Sequence, residues 1–185
     1  PDECQGVYRA AVPRAALDVD QALATVVPIC EDVRTRGVDA VLDAGEKFDG
    51  IRPAQLRVPA EALAEALAGL DADVRAALEE SVRRLRQSCE AELEATIVSD
   101  VAPGAVVERR IVPMQRVGLY VPGGLAPLVS TVIMNAVPAQ VAGVPGIALA
   151  SPPQKDFGGL PHPTILAACA LLGIGEVYAA GGAQA

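Results

Sequence analysis

Tryptophan is absent from this chain and aromatic side chains make up only 3% of it, so a buried core has to be assembled from Ala, Val, Leu and Ile. Histidine occurs once, as His162. A zinc site of nitrogen and oxygen ligands needs several such residues, so the chain on its own is expected to hold no metal. Its four cysteines, Cys4, Cys30, Cys89 and Cys169, lie far apart and match no CxxC pattern, which excludes the common zinc and redox motifs and reads as free thiols in a reducing compartment. Basic residues are outnumbered, 15 against 23 acidic, for a net charge of −8. Nucleic acid is therefore not an expected partner, because phosphate binding needs clustered Lys and Arg. No apolar run of about 18 residues free of breakers occurs, nor a signal-peptide pattern, so a membrane is not expected either and the reading is a soluble, cytoplasmic chain. Neither GxGxxG nor GxxxxGK[ST] is found, which removes both standard phosphate cradles.

What is present is 185 residues that are 51% apolar, enough for one domain or for one and a part. The chain is organised around residues 110–150. Val117-Gly118-Leu119-Tyr120-Val121 is a β-rich run, broken by Pro122-Gly123-Gly124, where proline and two glycines end a strand in a loop whose backbone N–H groups can face a ligand. A helix follows from about Ser130 to Gly143. Ser130 or Thr131 is its expected cap, Val132, Ile133, Ala136, Val137 and Val141 its buried side, Pro138 an internal kink and Gly143 its stop. Residues 147–150 form the next strand.

Before this unit the pattern is helical. Residues 1–17 read as an arm. Val19, Ala22, Leu23, Val26, Val27, Cys30 and Val33 recur at helical spacing, with Asp18 or Asp20 as cap, Pro28 as a bend and Gly37 as stop. A short helix is expected over residues 38–47, a third after Pro59 carrying Leu63, Ala66, Leu67 and Leu70, and a long one over 71–94. The stripe on that long helix, from Val74 to Leu93, reads as packing against the protein's own core, with a partner subunit as the alternative. Its Glu79, Glu80, Glu90, Glu92 and Glu94, and the cluster Arg83-Arg84-Leu85-Arg86, read as a solvated face rather than as acid/base or phosphate chemistry. The composition then shifts: residues 96–105 end the helical period at a Pro103-Gly104 turn, and residues 106–112 read as a strand turned by Pro113-Met114 into the one ending at Tyr120. The expected division is 1–105, helical, and 106–185, α/β.

After residue 150, Ser151-Pro152-Pro153 breaks the strand and residues 154–161 read as a loop. Pro163 suits a helix's first turn, with Ile165, Leu166, Cys169, Ala170 and Leu172 along the helix to Gly173. Residues 176–180 make a third strand, followed by Gly181-Gly182-Ala183-Gln184-Ala185. Strand, helix, strand, helix, strand predicts a Rossmann-like parallel βαβαβ unit with amino-terminal helices packed on it, an α/β fold. Ligands of such sheets bind beyond the strands' carboxyl ends, where both glycine loops fall together.

Three segments carry a family resemblance. VGLYVPGG, STVIMNAVPAQVAGV and PHPTILAACALLGIGEVYAAGGAQA, with RTRGVDAVLDAGEKFDGI nearer the start, closely resemble histidinol dehydrogenase over nearly the whole chain. The chain departs at Leu128-Val129-Ser130-Thr131, where many members carry Tyr-Pro-Ser-Ser, and in length, since the family's chains are more than twice as long. The resemblance implies the amino-terminal part of an NAD-dependent, zinc-requiring homodimeric enzyme that oxidises L-histidinol to L-histidine through L-histidinal, the last steps of histidine biosynthesis. It assigns NAD contact to Tyr120 and Gln184, leaves catalytic residues and zinc ligands to sequence beyond Ala185, and so implies that these residues alone are inactive. His162 matches a loop histidine of relatives and reads as structural. The alternative is a non-catalytic nucleotide-binding or assembly module derived from the same family. An aldehyde-handling enzyme with a cysteine nucleophile is a weaker third reading, because Cys169 joins the apolar side of its helix and a buried thiol is usually inert.

Overall fold

The computed structural model describes residues 19–123 and 126–185; the expected arm, Cys4, the Asp18 cap and Gly124 lie outside them. Helix α1 (Val19–Arg36) ends at Gly37, whose φ of 61° only glycine adopts readily. Helix α2 (Val38–Ala44) runs on into a wider π turn, Gly45–Asp49, stopped by the left-handed Gly50. Helix α3 (Ala60–Ala68) follows Pro59. Helix α4 (Ala72–Glu92) starts where Asp71 accepts the N–H groups of Asp73 and Val74 at 2.9 and 3.1 Å, satisfying two of the free donors of a helix start.

The β-branched stretch after α4 forms a hairpin, β1 (Ile97–Ala102) against antiparallel β2 (Ala105–Arg109). This corrects two expectations. Residues 97–102 are a strand rather than the approach to one, and β2 does not lead into the main sheet: residues 110–115 carry no regular structure, and the next strand pairs elsewhere. The physical cause is the Pro103-Gly104 turn, with Gly104 at φ 79°, which returns the chain on itself so that the two strands satisfy each other's ladder. Every hairpin residue is exposed.

The main sheet is parallel, β3 (Arg116–Tyr120), β4 (Gly146–Ser151) and β5 (Val177–Ala179) in that order. Residues 56–58 extend it beyond β5 through Val58 N–H to Val177 O (2.9 Å) and Ala179 N–H to Leu56 O (2.8 Å). Helices α5 (Val129–Val141) and α6 (Pro163–Leu171) connect the strands. Helix α5 begins one residue early, at Val129, and no side chain caps it; Ser130 and Thr131 lie within its first turn, and the Thr131 N–H reaches the Leu128 carbonyl at 2.9 Å. Gly143, at φ 80°, ends it as expected.

The two-residue period of the strands separates the faces of the sheet. Leu119, Leu149 and Val177 share one register row, and Val121, Ser151 and Ala179 continue that face into the core. There they meet Val132, Ile133, Ala136 and Val137 of α5, Ile165, Leu166 and Cys169 of α6, and Leu63 of α3. Helix α6 is apolar all round and correspondingly enclosed. Alanines on α3 and α6 let those two helices pack closely. The helical and α/β segments thus share one core.

The stripes fared differently. On α4, Leu78 is buried and Val82 and Leu85 pack on the core, whereas Val74 and Leu93 are exposed. On α1 no residue is buried, and Val19, Leu23 and Val27 stand in solvent. On α4, Glu79 pairs with Arg75 (2.9 Å) and Glu80 with Arg83 and Arg84 (both 2.7 Å), so the solvated-face reading holds for these two. Arg86 departs from it: its guanidinium donates to Gln140 Oε1 at 2.7 Å, and Gln140 Nε2 donates to the Leu172 carbonyl at 2.6 Å, tying α4 to α5 and α6.

Candidate functional site at the carboxyl ends of the parallel strands

The opposite face of the sheet carries Gly118 and Tyr120 of β3, Ala148 and Ala150 of β4, and Tyr178 of β5, with Tyr120, Ala150 and Tyr178 in one row. Small residues in the middle and a tyrosine on either side leave a depression of about 290 Å³ that also touches Ala185. Tyr120 is 44% exposed. Its hydroxyl accepts a hydrogen bond from the Gly182 N–H at 3.2 Å, so the structure brings the end of β3 to the loop after β5. The Tyr178 hydroxyl donates to Glu176 Oε1 at 2.6 Å, and Arg116 pairs with the same oxygen. Those contacts pull the Glu176 carboxyl below its ordinary range, the tyrosine hydrogen bond first, and raise Tyr178 through the carboxylate it faces.

Gln184 is placed differently from a frayed terminal residue. It lies in a short 3-10 turn, Gly182–Gln184, and is only 4% exposed. A Cβ on Gly182 would come within 2.8 Å of Gln184 Oε1, so the side chain folds back beneath its own loop. The Cys30 thiol of α1 reaches the Ala183 carbonyl at 3.7 Å, which helps hold this turn. Gly181 is equally constrained, for a Cβ there would meet Pro152 atoms at 2.8 to 3.2 Å.

Beneath the loop after β3 lies a polar pair that sequence reasoning passed over. Ser151, at the end of β4, is fully buried and its Oγ has no hydrogen-bond partner among the described residues. Gln154 Nε2 donates to the Gly123 carbonyl. A Cβ at Gly123 would lie 2.9 Å from Ile165 Cδ1 and 3.2 Å from Ser151 Oγ, so the loop touches the top of α6 and the end of β4 at once. Nothing local in SPPQK signals this; only pairing β3 with β4 in parallel puts residue 154 under residue 123.

The single histidine is a structural residue, as expected. His162 Nδ1 accepts the Thr164 N–H at 3.2 Å at the start of α6, and the ring stacks edge-on to Phe157 with centroids 5.0 Å apart. Burial holds its pKa below the ordinary 6.5, in keeping with an unprotonated nitrogen accepting a hydrogen bond. Cys169 is buried and its thiol is pushed up to about 12 by that burial; a buried, rarely ionised thiol is a poor nucleophile, which counts against Cys169 in the cysteine-dependent reading. Among the described residues no three of His, Cys, Asp and Glu are grouped to hold a metal ion, and no helix is long and apolar enough to cross a membrane. A larger groove of about 580 Å³ lies between α4 and α5, lined mainly by Ala77, Leu78, Leu85, Val129, Ile133 and Met134. Ser81, Arg84 and Ser130 also line it; the depression at the strand ends is taken as the candidate site because ligands of parallel α/β sheets bind at those ends.

The family model for histidinol dehydrogenase matches residues 12–185. The histidinol dehydrogenase of Thermobifida fusca is 63% identical over 177 residues, covering 96% of this chain and 40% of that protein. That of Cutibacterium acnes is 63% identical over 179 residues, covering 96% and 41%. Among solved structures, the crystal structure of histidinol dehydrogenase from Elizabethkingia anophelis superposes with a TM-score of 0.84 at 29% identity, over 94% of this chain and 39% of that one. The chain thus spans about 40% of the length of the curated relatives it matches.

Proposed function

The chain belongs to the histidinol dehydrogenase family, and from that premise we propose that it forms the amino-terminal part of an NAD-dependent enzyme converting L-histidinol to L-histidine through L-histidinal in two successive oxidations. The observation that carries the proposal is the meeting of Tyr120 with Gly182 at the carboxyl ends of β3 and β5, inside the segments that match the family. Ligands of parallel α/β sheets lie at such ends.

The residues there suit a dinucleotide. Tyr120 offers a partly exposed ring face beside a floor of Gly118, Ala148 and Ala150, flat enough for a ring or a ribose. Gly123, Gly181 and Gly182 keep the surrounding backbone close. The buried Gln184 amide sets the loop against which the ligand rests, and its role is to hold that loop as much as to touch the cofactor. When bound, NAD supplies the hydride acceptor; the chain's own residues hold it and exclude water from one side of it. Zinc has no fitting donor set among the described residues, since His162 is committed to capping α6. No step is assigned to it here, and its ligands, like the general bases, belong to other parts of the complete enzyme. By the same reasoning these 185 residues alone are inactive. The complete protein is proposed to work in the cytoplasm as a homodimer, without nucleic acid or membrane as partner. The solvent-exposed apolar residues of α1 and of the β1–β2 hairpin are compatible with further contacts.

The test is a calorimetric titration of the chain with NAD, wild type against Tyr120→Ala, beside an assay of the protein from the complete reading frame with L-histidinol and NAD. Saturable binding lost in Tyr120→Ala, and two NADH formed per histidine, support the reading. Binding untouched by the substitution rejects the assignment of Tyr120, and a complete protein that binds NAD without oxidising histidinol favours the non-catalytic module.

A further inference from the structure

We propose that Gln154 is a positioning residue for the dinucleotide, fixing the Pro122-Gly123 loop so that the ligand meets it in one geometry; this rests on the NAD reading above. Gln154 joins three segments. Its Nε2 donates to the Gly123 carbonyl, its backbone N–H donates to the Leu160 carbonyl at 3.0 Å, and its own carbonyl accepts the Gly159 N–H at 2.9 Å and the Phe157 N–H at 3.3 Å. The backbone bonds close residues 154–160 into a compact loop. The side chain is left to carry, among the described residues, the side-chain hydrogen bond to the loop after β3.

That bond matters because, among the described residues, it is the side-chain tie seen on Gly123. Val121 is the last residue there held by the sheet, through its N–H to the Ala150 carbonyl at 2.9 Å, and neither Pro122 nor a glycine has a side chain that can reach a polar partner. Below Gly123 lies the Ser151 hydroxyl, fully buried and without a partner among the described residues. With Gln154 in place the Gly123 carbonyl is held by the Gln154 amide. Without it that peptide plane is free to rotate, and ligand binding then has to order it at a loss of affinity.

The experiment compares wild type with Gln154→Met, which keeps side-chain length and removes the amide donor, in three measurements: NAD affinity by calorimetry, thermal midpoint by circular dichroism, and amide hydrogen exchange of the peptide spanning residues 117–128 without ligand. The expected result is NAD binding weakened about 3- to 10-fold, the worth of one net hydrogen bond, with faster exchange confined to that peptide. Gln154→His, whose Nε2–H reaches about as far as a glutamine amide, restores most of the affinity at about pH 8, where imidazole is neutral. A purely structural role predicts a lowered midpoint and exchange spread over the core, with no rescue by histidine, and that pattern overturns the proposal. So does wild-type affinity in Gln154→Met. If the wild-type chain itself fails to bind NAD, the NAD reading and this inference fall together, whereas a tight wild type with an equally tight Gln154→Met sinks only the inference.

Discussion

Replacing Gly123 by alanine tests the packing at the centre of the candidate site. The added Cβ would stand 2.9 Å from Ile165 Cδ1 and 3.2 Å from Ser151 Oγ. Ile165 and Ser151 are both fully enclosed, so neither has free space to retreat into, and a close-packed interior resists even one extra carbon. Overpacking of this kind costs about 1–3 kcal/mol, which for a chain of this size lowers the thermal midpoint by about 3–10 °C. The contact predicts its own cure. Ile165→Val removes the Cδ1 atom that the new methyl would strike, at a cost by itself of about 0.5–1.5 kcal/mol. The double variant G123A/I165V is therefore expected to be more stable than the sum of the two single effects by about 1 kcal/mol. The assay is equilibrium denaturation of wild type, both single variants and the double variant. A near-neutral Gly123→Ala, within about 0.5 kcal/mol of wild type, or strict additivity in the cycle, refutes the steric account and makes this glycine an ordinary loop residue.

Two further outcomes follow from buried polar groups. Ser151→Ala removes a hydroxyl that is enclosed without a partner among the described residues; denaturation is expected to show unchanged or slightly raised stability, by up to about 1 kcal/mol, whereas a clear loss would mean that the hydroxyl has a partner in solution. His162 is held below its ordinary 6.5 when folded, so the unfolded chain takes up the proton first as pH falls. The stability it contributes is complete above about pH 6.5 and is lost progressively below that. His162→Asn, which also caps helices, is expected to flatten that part of the pH–stability curve, and an unaltered slope would assign the dependence to other groups.

Much of the fold could be read from the chain because its signals are local. Gly37, Gly50, Gly143 and Gly173 have positive φ and end segments whose apolar period had just run out. Asp71 and His162 accept the N–H groups at the starts of α4 and α6, and the alternation around Leu119 and Tyr120 sets which side chains face the helices. The hairpin was half legible, since Pro103-Gly104 announces a turn. Whether residues 97–102 form a strand depends on their cross-chain partners at 105–109, and strand propensity is weak without them. The α1 stripe shows the opposite limit. Its helical spacing was plain, but an amphipathic pattern says only that a face is apolar, and among the described residues nothing buries it.

The sequence alone thus indicated the helices and the strand-helix-strand succession, because each depends on residues within one or two turns of each other, and, through three ordered motifs, the family. Only the tertiary structure decided that Tyr120 meets Gly182 across 62 residues, that Gln154 lies under Gly123, that Gln184 is enclosed, and that Arg86 reaches Gln140. These are contacts between segments far apart in the chain, set by parallel pairing of β3, β4 and β5 and by helices packed on one face of that sheet. No short window of sequence carries that pairing.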